Sequence, residues 1–204
     1  MDLKSTYNKI AEDWFKDHNS DTWWQDGANT FLKLLPEGGS VLDVGCGAGI
    51  KSRYLAEKGY KVIGIDFSEK MIEIAKRELP DLNFEVVDVY ELDKYPKTFD
   101  GIFAHAVLLH IPKNKVMDVL KKMKSRLNSG GLLYIGVKSM KDDGIEESVV
   151  KEDDYGYEYE RFFSFFSPNE LKNYIQELDM DLVWEGVTGS GRASWIQVIG
   201  RNKI

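Results

Sequence analysis

Between residues 41 and 137, short apolar runs alternate with amphipathic stretches, and the first run ends in a glycine-dense turn, Asp43-Val44-Gly45-Cys46-Gly47-Ala48-Gly49. No other feature constrains the fold as much. Strands separated by helical stretches of about 10–15 residues pair in parallel, and helices cover the sheet they form on both faces. The runs at 41–44, 61–66, 83–87, 99–104 and 132–137 read as five such strands. Helices fit between them. One spans 48–58 and stops at Gly59. A second is capped by Ser68, carries Met71, Ile72, Ala75 and Leu79, and is halted by Pro80. A third opens with Pro112 as its first residue and carries Val116, Val119, Leu120, Met123 and Leu127, with Asn128-Ser129-Gly130-Gly131 as its closing turn.

Upstream, Tyr7, Ile10, Ala11, Trp14, Phe15 and His18 share one helical face, and a second helix covers 23–35 before Pro36. Downstream the periodicity fails. Residues 139–160 hold nine acids and the alternating Tyr155, Tyr157 and Tyr159. A connection this long reads as a lid or a mobile segment, and its charge as a solvated loop; a lid of that sign would favour a cationic acceptor. Ser167-Pro168-Asn169-Glu170 then starts a helix with a capping box. Two last strands fall near 182–187 and 194–199, with Gly189-Ser190-Gly191 as the hairpin turn.

A chain of 204 residues fits one domain over 1–204, with the helices of 1–36 partly covering a site and 139–166 as a lid-like insert. The single cysteine, Cys46, excludes an intrachain disulfide and a cysteine-based zinc site. No apolar run reaches the ~18–20 residues of a membrane span, and the charged start is no secretory leader, so a cytoplasmic protein is expected. A net charge of −7 argues against binding to nucleic acid or an acidic membrane. The run Lys121, Lys122, Lys124 and Arg126 reads as a solvated helix face.

The glycine turn marks where a ligand would sit. Glycines let the backbone turn sharply and approach a ligand, and the following helix offers unpaired N–H groups. Asp66 ends the second strand 21 positions after Gly45, where a carboxylate accepts hydrogen bonds from ribose hydroxyls. Asp43, Asp66 and Asp88 end three successive strands and line the carboxyl edge of the sheet, where such folds bind ligands. The third glycine is one position early for a dinucleotide fingerprint, and no triphosphate loop motif is present. Asp43 beside the turn would repel a phosphate and welcome a cation. Adenosine joined to a sulfonium and an ammonium, as in S-adenosylmethionine, fits that polarity.

The runs at 41–49, 62–72, 83–89, 99–112 and 127–133, in this order and spacing, resemble those of class I S-adenosylmethionine-dependent methyltransferases. The resemblance implies a Rossmann-like, doubly wound α/β fold with a seven-stranded sheet. Its order would be 3-2-1-4-5-7-6, the last strand antiparallel, with helices on both faces. It also implies roles. Gly45 and Gly47, with Cys46 and Gly49 in the same turn, would lie under the methionine and ribose. Asp43 would hold the amino group, and Asp66 the ribose. Phe67 and Met71 would flank the adenine, and Asp88 would accept its amino group with the Val89 backbone beside it. Ala104 and His105 would lie near the methionine part. The cofactor would leave as S-adenosylhomocysteine, no metal would be needed, and the acceptor would be a small molecule taken up by a monomer or homodimer.

Methyl transfer needs a base only where the nucleophile carries a proton. His105 and His110, just past the fourth strand, are the candidates; the plainer readings are packing over the cofactor and capping of the next helix. Tyr7 and Trp14 would close over the cofactor or simply dock their helix, and Trp23 and Trp24 carry the same two readings. Arg161 would grip an acceptor carboxylate or phosphate, or pair with Glu158 or Glu160. Cys46 reads as a small residue that fits its turn. The other readings are a methyltransferase of protein or RNA, a non-catalytic cofactor-binding module, and a nicotinamide oxidoreductase.

Overall fold

The computed structural model describes residues 2–141, 143–189 and 193–204. The chain opens with α1 (Leu3–His18) and α2 (Gln25–Leu34), then alternates through β1 (Ser40–Val44), α3 (Ile50–Glu57), β2 (Lys61–Asp66), α4 (Glu69–Glu78) and β3 (Asn83–Val86). A short 3-10 helix, Val89–Lys94, leads to β4 (Phe99–His105), and another, Leu108–His110, leads to α5 (Lys113–Lys124) and β5 (Leu127–Lys138). The hairpin β6 (Glu147–Glu152) and β7 (Tyr159–Ser164) follows, then α6 (Pro168–Glu177), β8 (Met180–Gly189) and β9 (Ser194–Asn202).

Seven strands form one sheet in the order β3-β2-β1-β4-β5-β9-β8, parallel through β5, with β9 antiparallel to both neighbours. With the β6–β7 hairpin set aside, this is the expected order, last strand antiparallel. Successive side chains of a strand point to opposite faces, so each central strand feeds two cores. Leu42, Val44, Ile102, Ala104, Leu133 and Ile135 pack against α5 and α6. Val41, Phe103, Leu132 and Tyr134 pack against α2 and α3. Burial on both faces explains why these strands read as unbroken apolar runs.

The helix starts follow their caps. Asp2 Oδ1 accepts from Ser5 N–H, Ser68 Oγ from Met71 N–H, and Ser167 with Glu170 forms the reciprocal box. Three expectations change. Asn128–Gly131 belongs to β5 rather than to a closing turn, because Phe99 N–H bonds Arg126 C=O and draws the chain into the sheet behind a bulge. Pro112 is the cap before α5, not its first residue, since its ψ of 138° is extended. The acidic stretch is no solvated loop: much of it is the β6–β7 hairpin. Ser190 and Gly191 of the expected turn, and Asp142, lie outside the described residues. No helix among the described residues is long and apolar enough to cross a membrane.

Candidate functional site

The carboxyl ends of β1, β2, β3 and β4 open into a cavity of about 590 Å³. Its walls include Gly45, Cys46 and Gly47 from the turn after β1, Asp66, Phe67 and Met71 after β2, Asp88 and Val89 after β3, His105 at the end of β4, and Tyr7 and Trp14 from α1. Of the residues expected around a cofactor, these line the cavity, and Asp43, Gly49 and Ala104 do not.

The turn shows why. Gly45 has φ +65° and a Cβ there would stand 2.5 Å from Val107 Cγ2, so both backbone and space demand glycine. Gly47 has φ +53° and faces the Trp14 ring, 3.6 Å from where its Cβ would be. Gly49 also has a positive φ, but a Cβ there would meet Leu79, Phe84 and Ala75. Its smallness serves packing of α4 and β3 on the turn, behind the cavity. The Cys46 thiol points into the same apolar packing, where burial pushes its pKa up, so it is no nucleophile.

Asp66 is 7% exposed and sits at the mouth of β2. Its Oδ2 accepts from Gly47 N–H at 2.9 Å and its Oδ1 from Ser68 N–H at 2.8 Å. One lone pair on each oxygen remains for a ligand's hydroxyls. Burial raises its pKa to about 6. Asp88 caps the 3-10 helix through Tyr90 N–H at 2.9 Å and lines the cavity beside Val89. Asp43 has the opposite strand parity from Val44 and points under α3. There it accepts from Ser52 Oγ at 2.6 Å, 1% exposed, with its pKa raised to about 6 by burial. Lys51, on the first turn of α3, lines the cavity in its stead.

A second cavity, of about 380 Å³, adjoins the first. Tyr7, Trp14, Lys51, His105, Ala106 and His110 border both. Its other walls are aromatic and basic: Trp23, Trp24, Phe163, Trp195, Lys138 and Arg161, with Asp17 and Asp21 on the α1 side. Among the described residues, no acid of 139–160 lines either cavity, which removes the basis for a lid that attracts cations. Lys138 lies over the Phe163 ring, and burial lowers its pKa to about 8.

The two histidines differ. His110 Nδ1 lies 2.7 Å from Phe162 C=O, which can only accept, so Nδ1 carries the proton. Its Nε2, 2.7 Å from the Tyr7 hydroxyl, therefore accepts. Both nitrogens are engaged, and burial pulls the pKa down to about 3. His110 neither caps α5 nor stands free as a base. It joins α1 to β7.

Arg161 continues that junction. It donates to both oxygens of Glu152 across the hairpin, Nε to Oε2 at 2.6 Å and Nη2 to Oε1 at 2.5 Å, and Nη1 reaches Tyr7 Oη at 3.4 Å. Its carboxylate partner is thus Glu152, two strand residues away in register, and not Glu158 or Glu160. Tyr157 Oη donates to Asp13 at 2.9 Å, and Lys9 Nζ to Glu158 C=O at 3.1 Å. The hairpin and α1 are clasped together over the two cavities. Lys51, Lys138, Trp195 and Glu152 were not singled out from the sequence. For Lys51 a signal existed: it lies on the first turn of the helix that the glycine motif opens. Among the described residues, no three or more His, Cys, Asp or Glu side chains are grouped to hold a metal ion.

Residues 41–131 match a family model described as a methyltransferase domain. The ubiquinone biosynthesis O-methyltransferase of Coxiella burnetii is 35% identical over 106 residues, 50% of this chain and 44% of that protein. The trans-aconitate 2-methyltransferase of Variovorax paradoxus is 32% identical over 111 residues, 53% of this chain and 42% of that protein. The matched stretch thus spans less than half the length of these curated relatives. Among solved structures, the 1,6-didemethyltoxoflavin-N1-methyltransferase of Burkholderia thailandensis superposes with a TM-score of 0.78 at 18% identity, covering 99% of this chain and 88% of that one. It holds 1,6-didemethyltoxoflavin and S-adenosylhomocysteine.

Proposed function

We propose that this chain is a class I S-adenosylmethionine-dependent methyltransferase and that it methylates a small-molecule acceptor. The observation that carries the proposal is the pair of adjoining cavities with a common wall of Tyr7, Trp14, Lys51, His105, Ala106 and His110. The first suits an adenosine-type cofactor. It offers a carboxylate with two free lone pairs at Asp66, a second acid at Asp88, and apolar flanks at Phe67 and Met71. Gly47 leaves room where a Cβ would stand, facing the Trp14 ring, and Gly45 lets the turn pass against Val107.

When bound, S-adenosylmethionine supplies a methyl group already activated on a sulfonium. The chain's own residues then bind, align and exclude water. Asp66 accepts the ribose hydroxyls, and Asp88 receives the adenine amino group beside the Val89 backbone. Trp14 and Tyr7 cover the glycine turn from α1. The second cavity, roofed by α1 and the hairpin, takes the acceptor. A roof clasped at Tyr157–Asp13 and Tyr7–His110 leaves a chamber of metabolite size, which favours a small acceptor over a folded macromolecule.

The test is a labelled-methyl assay: S-adenosylmethionine carrying the label is incubated with the protein and a cell extract, which is then fractionated by size. Label in the small-molecule fraction supports the proposal. Label confined to protein or RNA contradicts it.

A further inference from the structure

His105 Nε2 is the one buried side-chain nitrogen or oxygen among the described residues without a hydrogen-bond partner. The residue is 3% exposed, yet its ring borders both cavities. An orphaned polar atom of this kind is destabilising in a folded chain unless a ligand completes it.

The remaining ring nitrogen fixes what Nε2 can do. Gln197 Nε2 donates to Thr188 Oγ1 at 2.7 Å, which leaves Gln197 Oε1 to accept from the Tyr134 hydroxyl at 2.7 Å. That hydroxyl has one proton and has given it to Gln197. Towards His105 Nδ1, at 3.3 Å, it can only accept. Nδ1 therefore holds the imidazole proton, and Nε2 presents a bare lone pair. The sheet register builds this relay. Gly136 pairs with His105 on one side and Gln197 on the other. A Cβ at Gly136 would stand 2.5 Å from His105 Nδ1, and one at Gly27 1.7 Å from Gln197 Oε1. Ala106, next in the chain, has φ +63°, so local strain also goes into placing His105.

We propose that His105 Nε2 receives the hydrogen bond, and then the proton, of the acceptor's nucleophilic O–H or N–H, and that the acceptor is a flat aromatic molecule. The proposal rests on the methyltransferase reading above. The aromatic class follows from the surroundings: Trp23 and Trp195 lie 5.2 and 5.1 Å from the His105 ring, and Phe163 and Trp24 line the same cavity. Trp195 is fixed in β9, and Trp23 lies in the turn between α1 and α2, so Trp23 is the ring that shifts to admit the acceptor. As the nucleophile's lone pair forms its bond to the methyl carbon, its proton moves to Nε2. The imidazolium then gives that proton to solvent. Burial and the nearby Lys51 ammonium hold the ring neutral beforehand, and a weak base suffices because the nucleophile becomes strongly acidic only as the new bond forms.

The test needs no turnover. Long-range proton–nitrogen spectra of the ¹⁵N-histidine-labelled chain report three histidines. His105 is expected to carry its proton on Nδ1, unchanged between about pH 5.5 and 8. A proton on Nε2, or ordinary titration in that range, overturns the proposal. With S-adenosylhomocysteine present, phenol and indole are expected to move the Nε2 resonance, and anisole is not. Phenol should bind at least about fivefold more tightly than anisole, the factor of one neutral hydrogen bond. Equal binding, or no shift with either O–H or N–H probe, also overturns it. Failure of S-adenosylhomocysteine itself to bind sinks the methyltransferase reading instead, so the two failures are distinguishable.

Discussion

The Tyr7 hydroxyl is a small group with a large consequence. Replacing Tyr7 with Phe deletes the donor to His110 Nε2 and leaves that nitrogen, already committed as an acceptor, facing an apolar ring edge. A buried acceptor stripped of its partner costs about 1–3 kcal/mol. Arg161 keeps its two bonds to Glu152, so the hairpin stays whole; its 3.4 Å contact to Tyr7 adds little. The cost falls on the docking of α1 over the cavities. On its far side α1 is still held, by Asn8 to Glu69, by Ser68 to Asn8, and by Arg77 to Glu12, and Ile10 and Ala11 remain packed. The opening equilibrium of α1 should therefore rise by about 5- to 150-fold while the sheet is unaffected. Amide hydrogen exchange measures this directly. Protection in residues 3–18 should fall by that factor, with β4, β5 and β7 unchanged. Unaltered protection in α1, or a uniform loss through the sheet, would refute the clasp.

Two further perturbations follow from the same region. His110 is depressed to about 3 in the folded chain from an ordinary 6.5. Its stabilising effect is complete above 6.5 and is lost as the pH falls from there toward 3, because the unfolded chain takes up a proton that the folded one refuses. The stability gap between the parent and His110→Asn should narrow by about 1.4 kcal/mol per pH unit below 6.5, read by urea denaturation. A constant gap would mean that His110 titrates normally. Gly136→Ala places a Cβ 2.5 Å from His105 Nδ1; it should lower stability by about 1–3 kcal/mol and displace the His105 resonances, checked by denaturation and nitrogen spectra.

The order of the sheet was legible because five apolar runs, each followed by a helix start, admit few other connections. Asp66, Asp88 and the turn glycines were legible for a related reason: a strand's last residue and the turn after it face the ligand edge whatever the rest of the fold does. Asp43 misled because it is one residue short of the strand end. Parity turns it to the α3 face, and Ser52, nine positions on, has no sequence signature as its partner. The hairpin was missed because β6 alternates exposed and half-buried residues without an apolar run, and because the aromatic residues of β7, Phe162 and Phe163, follow Glu160 and Arg161 with no turn signal that pairs them with β6. Arg161 was expected to find Glu158 or Glu160, its neighbours in sequence; the hairpin register offered Glu152 instead. The His105–Tyr134–Gln197 relay crosses β4, β5 and β9, which are adjacent only after the last strand folds back between β5 and β8.

Calorimetric titration with S-adenosylmethionine, S-adenosylhomocysteine and NAD, on the parent and on Asp66→Ala, tests the central claim most directly. The two sulfur ligands should bind the parent and NAD should not. Affinity should weaken as the pH falls through about 6, where the Asp66 carboxylate gains its proton and loses the capacity to accept both ribose hydroxyls. The variant should bind neither sulfur ligand. Binding of NAD alone, or sulfur-ligand binding indifferent to both pH and the loss of Asp66, would contradict the account.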